Sequence, residues 1–175
     1  MATSAQVFIR WMIRRDMPEV LRIEQVSHDF PWCEEDFLRR HRKRNCIGMI
    51  AEMGDKVVGF MIYELHETKL HLFNFAVSPE LRRKSIGRRM AEKLISKLAH
   101  KRRTKILVDV RETNLVAQQF FRAVGFKATC VNRGFFGDSG EDGFHMVYNL
   151  MEVESFSDVM PANRVARFYQ KEGAD

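Results

Sequence analysis

The stretch from Leu70 to Met90, LHLFNFAVSPELRRKSIGRRM, leaves this chain few folds. Its apolar first part, Leu70 to Val77, has the length of one buried strand. Ser78-Pro79-Glu80 ends that strand, because proline has no N–H to give to a ladder. Arg82, Arg83 and Lys84 follow, then Ser85-Ile86-Gly87, then a segment of helical composition running to about Lys101. A strand therefore feeds a basic loop, and the loop feeds a helix N-terminus. Such a terminus carries unpaired backbone N–H groups and the positive end of the helix dipole, which suits a phosphate. The glycines match neither the dinucleotide fingerprint G-x-G-x-x-G nor the Walker loop G-x-x-x-x-G-K-S/T. A solvated basic turn is the other reading of the same residues.

The charge balance agrees with an anionic partner without choosing one. Lys+Arg 29 against Asp+Glu 23 leave a net charge of +6, which favours a phosphate-bearing small molecule or RNA alike. Hydrophobic residues make up 45% of the 175, enough for one core, and the length points to one domain. That domain is expected over residues 1–151, with a tail over 152–175 that holds at most one short helix, Asn163 to Lys171. No apolar run approaches a membrane span, and the N-terminus lacks the basic-then-apolar layout of a signal peptide. Cys33, Cys46 and Cys130 are odd in number, widely spaced and without a C-x-x-C pair, so no metal site and no disulfide framework is expected. Free thiols in a reducing cytoplasm fit that pattern.

Around the opening stretch the periodicities alternate. Strands are expected at Val7 to Ile13, Cys46 to Met53, Lys56 to Leu65, Lys69 to Val77, Lys105 to Val110, Phe126 to Phe135 and Gly143 to Leu150. Helices are expected from Met17 with Asp16 as N-cap, over Glu34 to Arg42, after the basic loop, and over Leu115 to Val124 with Gly125 as the stop. Gly59 marks a candidate bulge. The order β, α, α, β, β, β, α, β, α, β, β gives an α/β chain with a mixed, mostly antiparallel sheet.

Four motifs then carry a resemblance. Arg82-x-x-Ser85-x-Gly87 is similar to the Q/R-x-x-G-x-G/A loop of the GNAT acyltransferases. Ile23-Glu24-Gln25 with Phe30-Pro31-Trp32, then Leu72-Phe73-Asn74-Phe75-Ala76-Val77, then Val110-Arg111-x-x-Asn114-x-x-Ala117 with Gly125-Phe126, resemble in order the segments of the RimI-type branch. The match covers about residues 7–150. It implies the GNAT fold and acetyl-CoA as co-substrate, with no metal. It also implies a protein N-terminus as acceptor, ribosomal in the RimI type. No DNA and no membrane is expected as partner, and the oligomeric state is open between monomer and weak dimer.

Carried over residue by residue, the resemblance gives Phe75, Ala76 and Val77 the pantetheine arm and the acetyl carbonyl. It gives Arg82, Arg83, Lys84, Ser85, Ile86, Gly87 and Arg88 the pyrophosphate. Asn114 would reach the cofactor from the next helix or serve as that helix's cap. Ser85 departs from the usual glycine, at a cost of roughly 1–2 kcal/mol if the position needs positive φ.

Two departures touch the chemistry. Asp109 stands where the family has its glutamate base, and Phe121 stands where it has an acid tyrosine, with no proton to give. Phe135 and Phe136 likewise replace two late tyrosines. An α-amine, with pKa about 7.7–8.0, is about a fifth neutral near pH 7.3, whereas a lysine at about 10.4 is about a thousandth neutral. An N-terminal acceptor thus needs little base, and a thiolate leaves without a strong acid. Asp109 is expected to act through a water, or else to be a cap or a partner of Arg111 or Arg133. On the acceptor side, Phe30 and Trp32 are groove walls or core anchors, and Glu24 binds the substrate amine or is a surface helix charge. His71 is an assisting base or a satisfied sheet histidine. A GNAT acting on lysine or a small amine is one alternative, and a catalytically weak CoA- or ribosome-binding module is another.

Overall fold

The computed structural model describes residues 6–152; the tail assignment and its short helix lie outside the described residues. Seven strands form one sheet in the order β1-β2-β3-β4-β5-β7-β6. They are β1 (Val7–Trp11), β2 (Cys46–Met53), β3 (Lys56–Leu65), β4 (Lys69–Val77), β5 (Lys105–Arg111), β6 (Lys127–Phe136) and β7 (Glu141–Asn149). Only β4 and β5 run parallel. Helices α1 (Met17–Ser27) and α2 (Glu34–His41) cover one face, and α3 (Ile86–Ile95) and α4 (Leu115–Ala123) cover the other. The mixed, mostly antiparallel sheet is the one the sequence predicts.

Each face has its own core. Val20, Ile23, Phe37, Phe60 and Ile62 pack under α1 and α2. Leu70, Leu72, Met90, Leu94, Ile106 and Val108 pack under α3 and α4.

Two irregularities shape the sheet where it matters. On β3, Ala51 pairs with Gly59 and Glu52 with Val57, so Val58 is extra, beside the glycine that marks the bulge. A Cβ on Gly59 would stand 2.9 Å from the Ala76 carbonyl oxygen and from the Met90 sulfur, so this crossing needs glycine. On β4, Ile62 pairs with Asn74 and Tyr63 with Leu72, leaving Phe73 extra. This second bulge exchanges the faces of the strand. Leu70 and Leu72 point to the α3–α4 core, and after Phe73 that direction passes to Phe75 and Val77. Ala76 joins the α1–α2 core, and Asn74 reaches α1.

Two sequence expectations need correction. The helix after the basic loop ends at Ile95, short of Lys101, because its last amides tighten to i−3 carbonyls and Ala99 N–H donates to the Arg103 carbonyl. Asp16 is not the N-cap of α1 by its side chain. Its buried carboxylate accepts from the Ile13 N–H at 2.8 Å and from Arg10 at 2.8 and 2.9 Å, and Arg10 also holds Glu52. Asp16 therefore ties the bend before α1 to β1 and β2.

This pairing sets a pH dependence. The hydrogen bond from Arg10 holds the Asp16 carboxyl below 3.8, against burial, with the Ile13 N–H adding to it. A carboxylate with a depressed folded pKa contributes stability that is full above its unfolded pKa and is lost as pH falls through the folded value. Asp16→Asn is expected to cost about 2 kcal/mol at pH 7. In urea titrations the gap between parent and variant should narrow below about pH 4; a gap unchanged down to pH 2 would refute the assignment.

Candidate active site

The bulge at Phe73 coincides with a fork in the sheet. Parallel pairing of β4 with β5 runs from Lys69 with Lys105 to Leu72 with Val108 and stops there. Beyond it β4 keeps only β3, and β5 keeps only β7. Phe75, Ala76 and Val77 thus lie on a strand with an open edge toward the fork, as an added extended segment requires.

The basic loop closes one end of the fork. Arg83 (φ 65°) and Ser85 (φ 61°) both take the left-handed conformation, and Ser85 is the N-cap of α3. Ile86, Gly87 and Arg88 therefore open the helix with first-turn amides that have no intrahelical acceptor. A Cβ on Gly87 would lie 3.2 Å from the Phe120 ring and 3.6 Å from Val77, so the turn sits against both α4 and the end of β4. Arg82 donates from Nε to the Val77 carbonyl at 3.2 Å, which fixes the loop on the strand and occupies that carbonyl. Arg82, Arg83, Lys84 and Arg88 are exposed cations around the helix start. An extended thiol arm ending in a pyrophosphate fits this arrangement of open strand edge, glycine turn and basic helix start.

Asp109 is the first residue of β5 past the fork, and it pairs with neither Arg111 nor Arg133. Its Oδ1 accepts from His145 Nδ1 at 2.7 Å and its Oδ2 from His71 Nε2 at 3.1 Å. His145 faces Asp109 in the β5–β7 register, and His71 reaches it from β4. The carboxylate is 9% exposed, and the two rings are each about a quarter exposed. Burial pushes its pKa up, but the hydrogen bonds from His71 and His145, with their charge interaction, bring it below 3.8. Arg111 instead binds Asp138 and Ser139 at 2.8 Å, and Arg133 binds Asp142.

The remaining predicted residues divide. Asn114 caps α4, its Oδ1 accepting from the Ala117 N–H at 3.0 Å. Phe121 is buried within an aromatic cluster with Phe75, Phe120 and Phe126, ring centroids 5.1–5.8 Å apart. Glu24 is not a surface charge. It is 1% exposed and accepts from the Trp32 N–H at 2.8 Å and from Asn74 Nδ2 at 3.0 Å, with His28 Nε2 3.4 Å away. These bonds fasten the Phe30–Trp32 bend to β4 and occupy the buried Glu24 carboxylate.

Phe30 and Trp32 do not share one pocket. Phe30 lies against the Arg111 guanidinium (4.6 Å), which Phe136 covers at 4.1 Å. Trp32 packs on Phe37 and lines a separate depression of about 360 Å³ with Asp36, Arg39, Arg40 and Lys43. The basic run at Arg39 to Arg44 is partly neutralised there, because Arg40 and Lys43 both reach Glu64.

Sequence reasoning missed His145 as Asp109's partner and Arg111 as a bridge between the α1–α2 bend and the β6–β7 turn. Both depend on β7 lying between β5 and β6, which no local pattern announces.

A forked sheet with a basic helix start at one end and a hydrogen-bonded carboxylate at the vertex suits an acyl-CoA transferase. The chain belongs to the acetyltransferase (GNAT) family, whose pattern matches residues 8–126, and it is an acetyltransferase of that family, which takes acetyl-CoA as co-substrate. It is 30% identical over 133 residues to the [ribosomal protein bS18]-alanine N-acetyltransferase of Escherichia coli K12, covering 75% of this chain and 89% of that protein. The crystal structure of the ribosomal-protein-S18-alanine N-acetyltransferase from Escherichia coli superposes with a TM-score of 0.74 at 26% identity, over 83% of this chain and 94% of that one. Ard1 from Thermoplasma volcanium superposes equally, with a TM-score of 0.74 at 24% identity over 82% and 97% of the two chains.

The left-handed Ser85 gives a stability prediction. Replacing it by glycine removes a strain of about 1–2 kcal/mol and adds unfolded-state entropy worth about 0.5–1 kcal/mol. Ser85→Gly should therefore stabilise by up to about 1.5 kcal/mol, read as a Tm rise of up to about 6 °C by calorimetry. A lower Tm would show that the serine side chain has a compensating role.

Proposed function

We propose that this protein transfers the acetyl group of acetyl-CoA to the α-amino group of a protein N-terminus. The observation that carries this is the place of Asp109, at the vertex of the β4–β5 fork and within one sheet of the α3 helix start. Bound there, acetyl-CoA supplies an activated thioester. The first-turn amides of α3 and the cations Arg82, Arg83, Lys84 and Arg88 would hold its pyrophosphate. The open edge of β4 at Phe75 and Ala76 would align the arm, with the Val77 carbonyl available once Arg82 lets go. Asn114 keeps its amide N–H groups for the cofactor while its oxygen caps α4.

The acceptor reaches the thioester from the α1–α2 face, where Asp109, His71 and Arg111 stand and where Phe30 and Phe136 flank Arg111. An α-amine suits this site because its ordinary pKa leaves a sizeable neutral fraction. Phe121 offers no proton, and a thiolate leaving group needs none from a strong acid. The Escherichia coli relative is named for the alanine of a ribosomal protein, so an alanine-initiated ribosomal terminus is the first acceptor to try.

Calorimetry should show acetyl-CoA binding, and mass spectrometry should show one acetyl group on the α-amine of alanine-initiated peptides, with N-blocked, lysine-containing peptides at least 10²-fold slower. Transfer to the blocked peptides at equal rates would replace this reading by a lysine acetyltransferase. Binding of acetyl-CoA without transfer to any amine would leave a binding module. Asp109→Ala should lower kcat by about 10²-fold or more, with the acetyl-CoA Kd changed less than about twofold. An equal loss in Kd would place Asp109 in cofactor binding instead.

A further inference from the structure

We infer that the proton acceptor of the acetyl transfer is His145, through Nε2, and that Asp109 is the residue that positions it. This rests on the N-terminal acetylation reading above. The His145 ring gives Nδ1–H to the carboxylate at 2.7 Å, the shorter of the two imidazole bonds. That bond fixes the tautomer and leaves Nε2, on the far side of the ring, as the basic nitrogen. The ring is 23% exposed on the face where the acceptor arrives, whereas the carboxylate is 9% exposed and has an imidazole on each oxygen. The buried carboxylate then stabilises the imidazolium as it forms, as the aspartate of a hydrolase triad does.

Packing separates the two histidines. His71 stacks on Phe73 at 4.2 Å, and Phe73 carries the Arg40 guanidinium at 3.8 Å, so one face of the His71 ring is covered by the sheet's own aromatic packing. Arg40 is itself paired with Glu64. The charged groups near His145 are Asp109 and Arg111 on β5 and His71 on β4, with Cys130 opposite it on β6. Arg111 is paired with Asp138, as Arg40 is with Glu64, and no aromatic ring stacks on His145 among the contacts of the described residues. His71 thus serves as the second donor that holds the carboxylate in place.

The step balances as follows. The acceptor's α-ammonium gives one proton to His145 Nε2. The neutral nitrogen bonds to the thioester carbonyl carbon, and the C–S bond breaks with its electron pair going to sulfur. The second nitrogen proton ends on that sulfur through solvent, and His145 releases its proton to bulk water.

The test is kcat/KM against pH, from 6 to 9.5, for the parent, His145→Gln, His71→Gln and Asp109→Asn, with an N-terminal peptide. His145→Gln should lose about 10²-fold near pH 6.5. The loss should shrink toward pH 9.5, where an α-amine is neutral unaided. Asp109→Asn should follow the same profile, since asparagine favours the wrong tautomer. His71→Gln should stay within several-fold and keep the parental profile. Free imidazole should restore part of the activity of His145→Gly, with the acetyl-CoA Kd unchanged throughout. His145→Gln within twofold of the parent at pH 6.5, or a defect constant across the pH range without imidazole rescue, would overturn the assignment. So would a pH-dependent loss carried by His71→Gln instead. A parent inactive on every N-terminal peptide would refute the proposed function, which is read on the unmutated protein alone.

Discussion

The extra residue at Phe73 is the constraint on which the rest of this site depends. A strand in regular register against β3 would keep pointing His71, Phe73, Phe75 and Val77 to one face. The bulge reverses that alternation within one step. Phe75 and Val77 are then available to the α3–α4 core, while Asn74 and Ala76 meet α1. The same irregularity falls where pairing with β5 ends, so the strand turns away from its parallel neighbour as its faces exchange. The fork is thus built by register rather than by a loop. Its walls are strands held on their other edges by β3 and β7, which keeps an open sheet edge rigid.

The two faces of the sheet are held by different forces. Under α3 and α4 the contacts are apolar, and Phe121 belongs to that packing. Under α1 and α2 four acids are buried or nearly so, and each joins separate elements. Asp16 links the bend before α1 to Arg10 on β1, Glu24 links the Phe30–Trp32 bend to Asn74 on β4, Glu64 holds Arg40 and Lys43, and Asp109 gathers His71 and His145. A buried carboxylate left without its donors is costly, so each of these acids specifies where its neighbours must lie. The α1–α2 face is therefore set by directional bonds, and the α3–α4 face by volume.

The difference between those forces explains what could be read from the chain. Apolar periodicity is local, and it located the strands and helices to within a few residues, including the bulge beside Gly59. The Ser85 departure was visible too, because left-handed strain belongs to a single residue. Asp16 does stand at the N-cap position of α1, but its carboxylate, which has a local partner in prospect there, is taken by the distant Arg10 and the Ile13 N–H instead. Glu24 read as a substrate ligand or a surface charge because nothing in its own helix shows that Asn74 and the Trp32 amide will surround it. His145 was invisible for the deeper reason that its role exists only after β7 inserts between β5 and β6. Long-range polar pairing leaves no period in a sequence.

The same insertion bears on the loss of the acid tyrosine. With Phe121 in the aromatic core, α4 contributes packing to the cofactor side and no proton. The titratable groups have instead collected on the opposite face, on three adjacent strands, around one carboxylate. An aspartate is one methylene shorter than the glutamate the resemblance leads one to expect, and its carboxylate stays closer to the strand. Imidazoles from both neighbouring strands donate to it, and against burial those hydrogen bonds lower the carboxylate's own affinity for a proton. A depressed carboxylate is a poor match for an amine that titrates near neutrality, and an imidazole is a close one. The residues at positions 109 and 121 are therefore coherent with the proposed assignment, in which the proton is handled on the sheet and not on the helix.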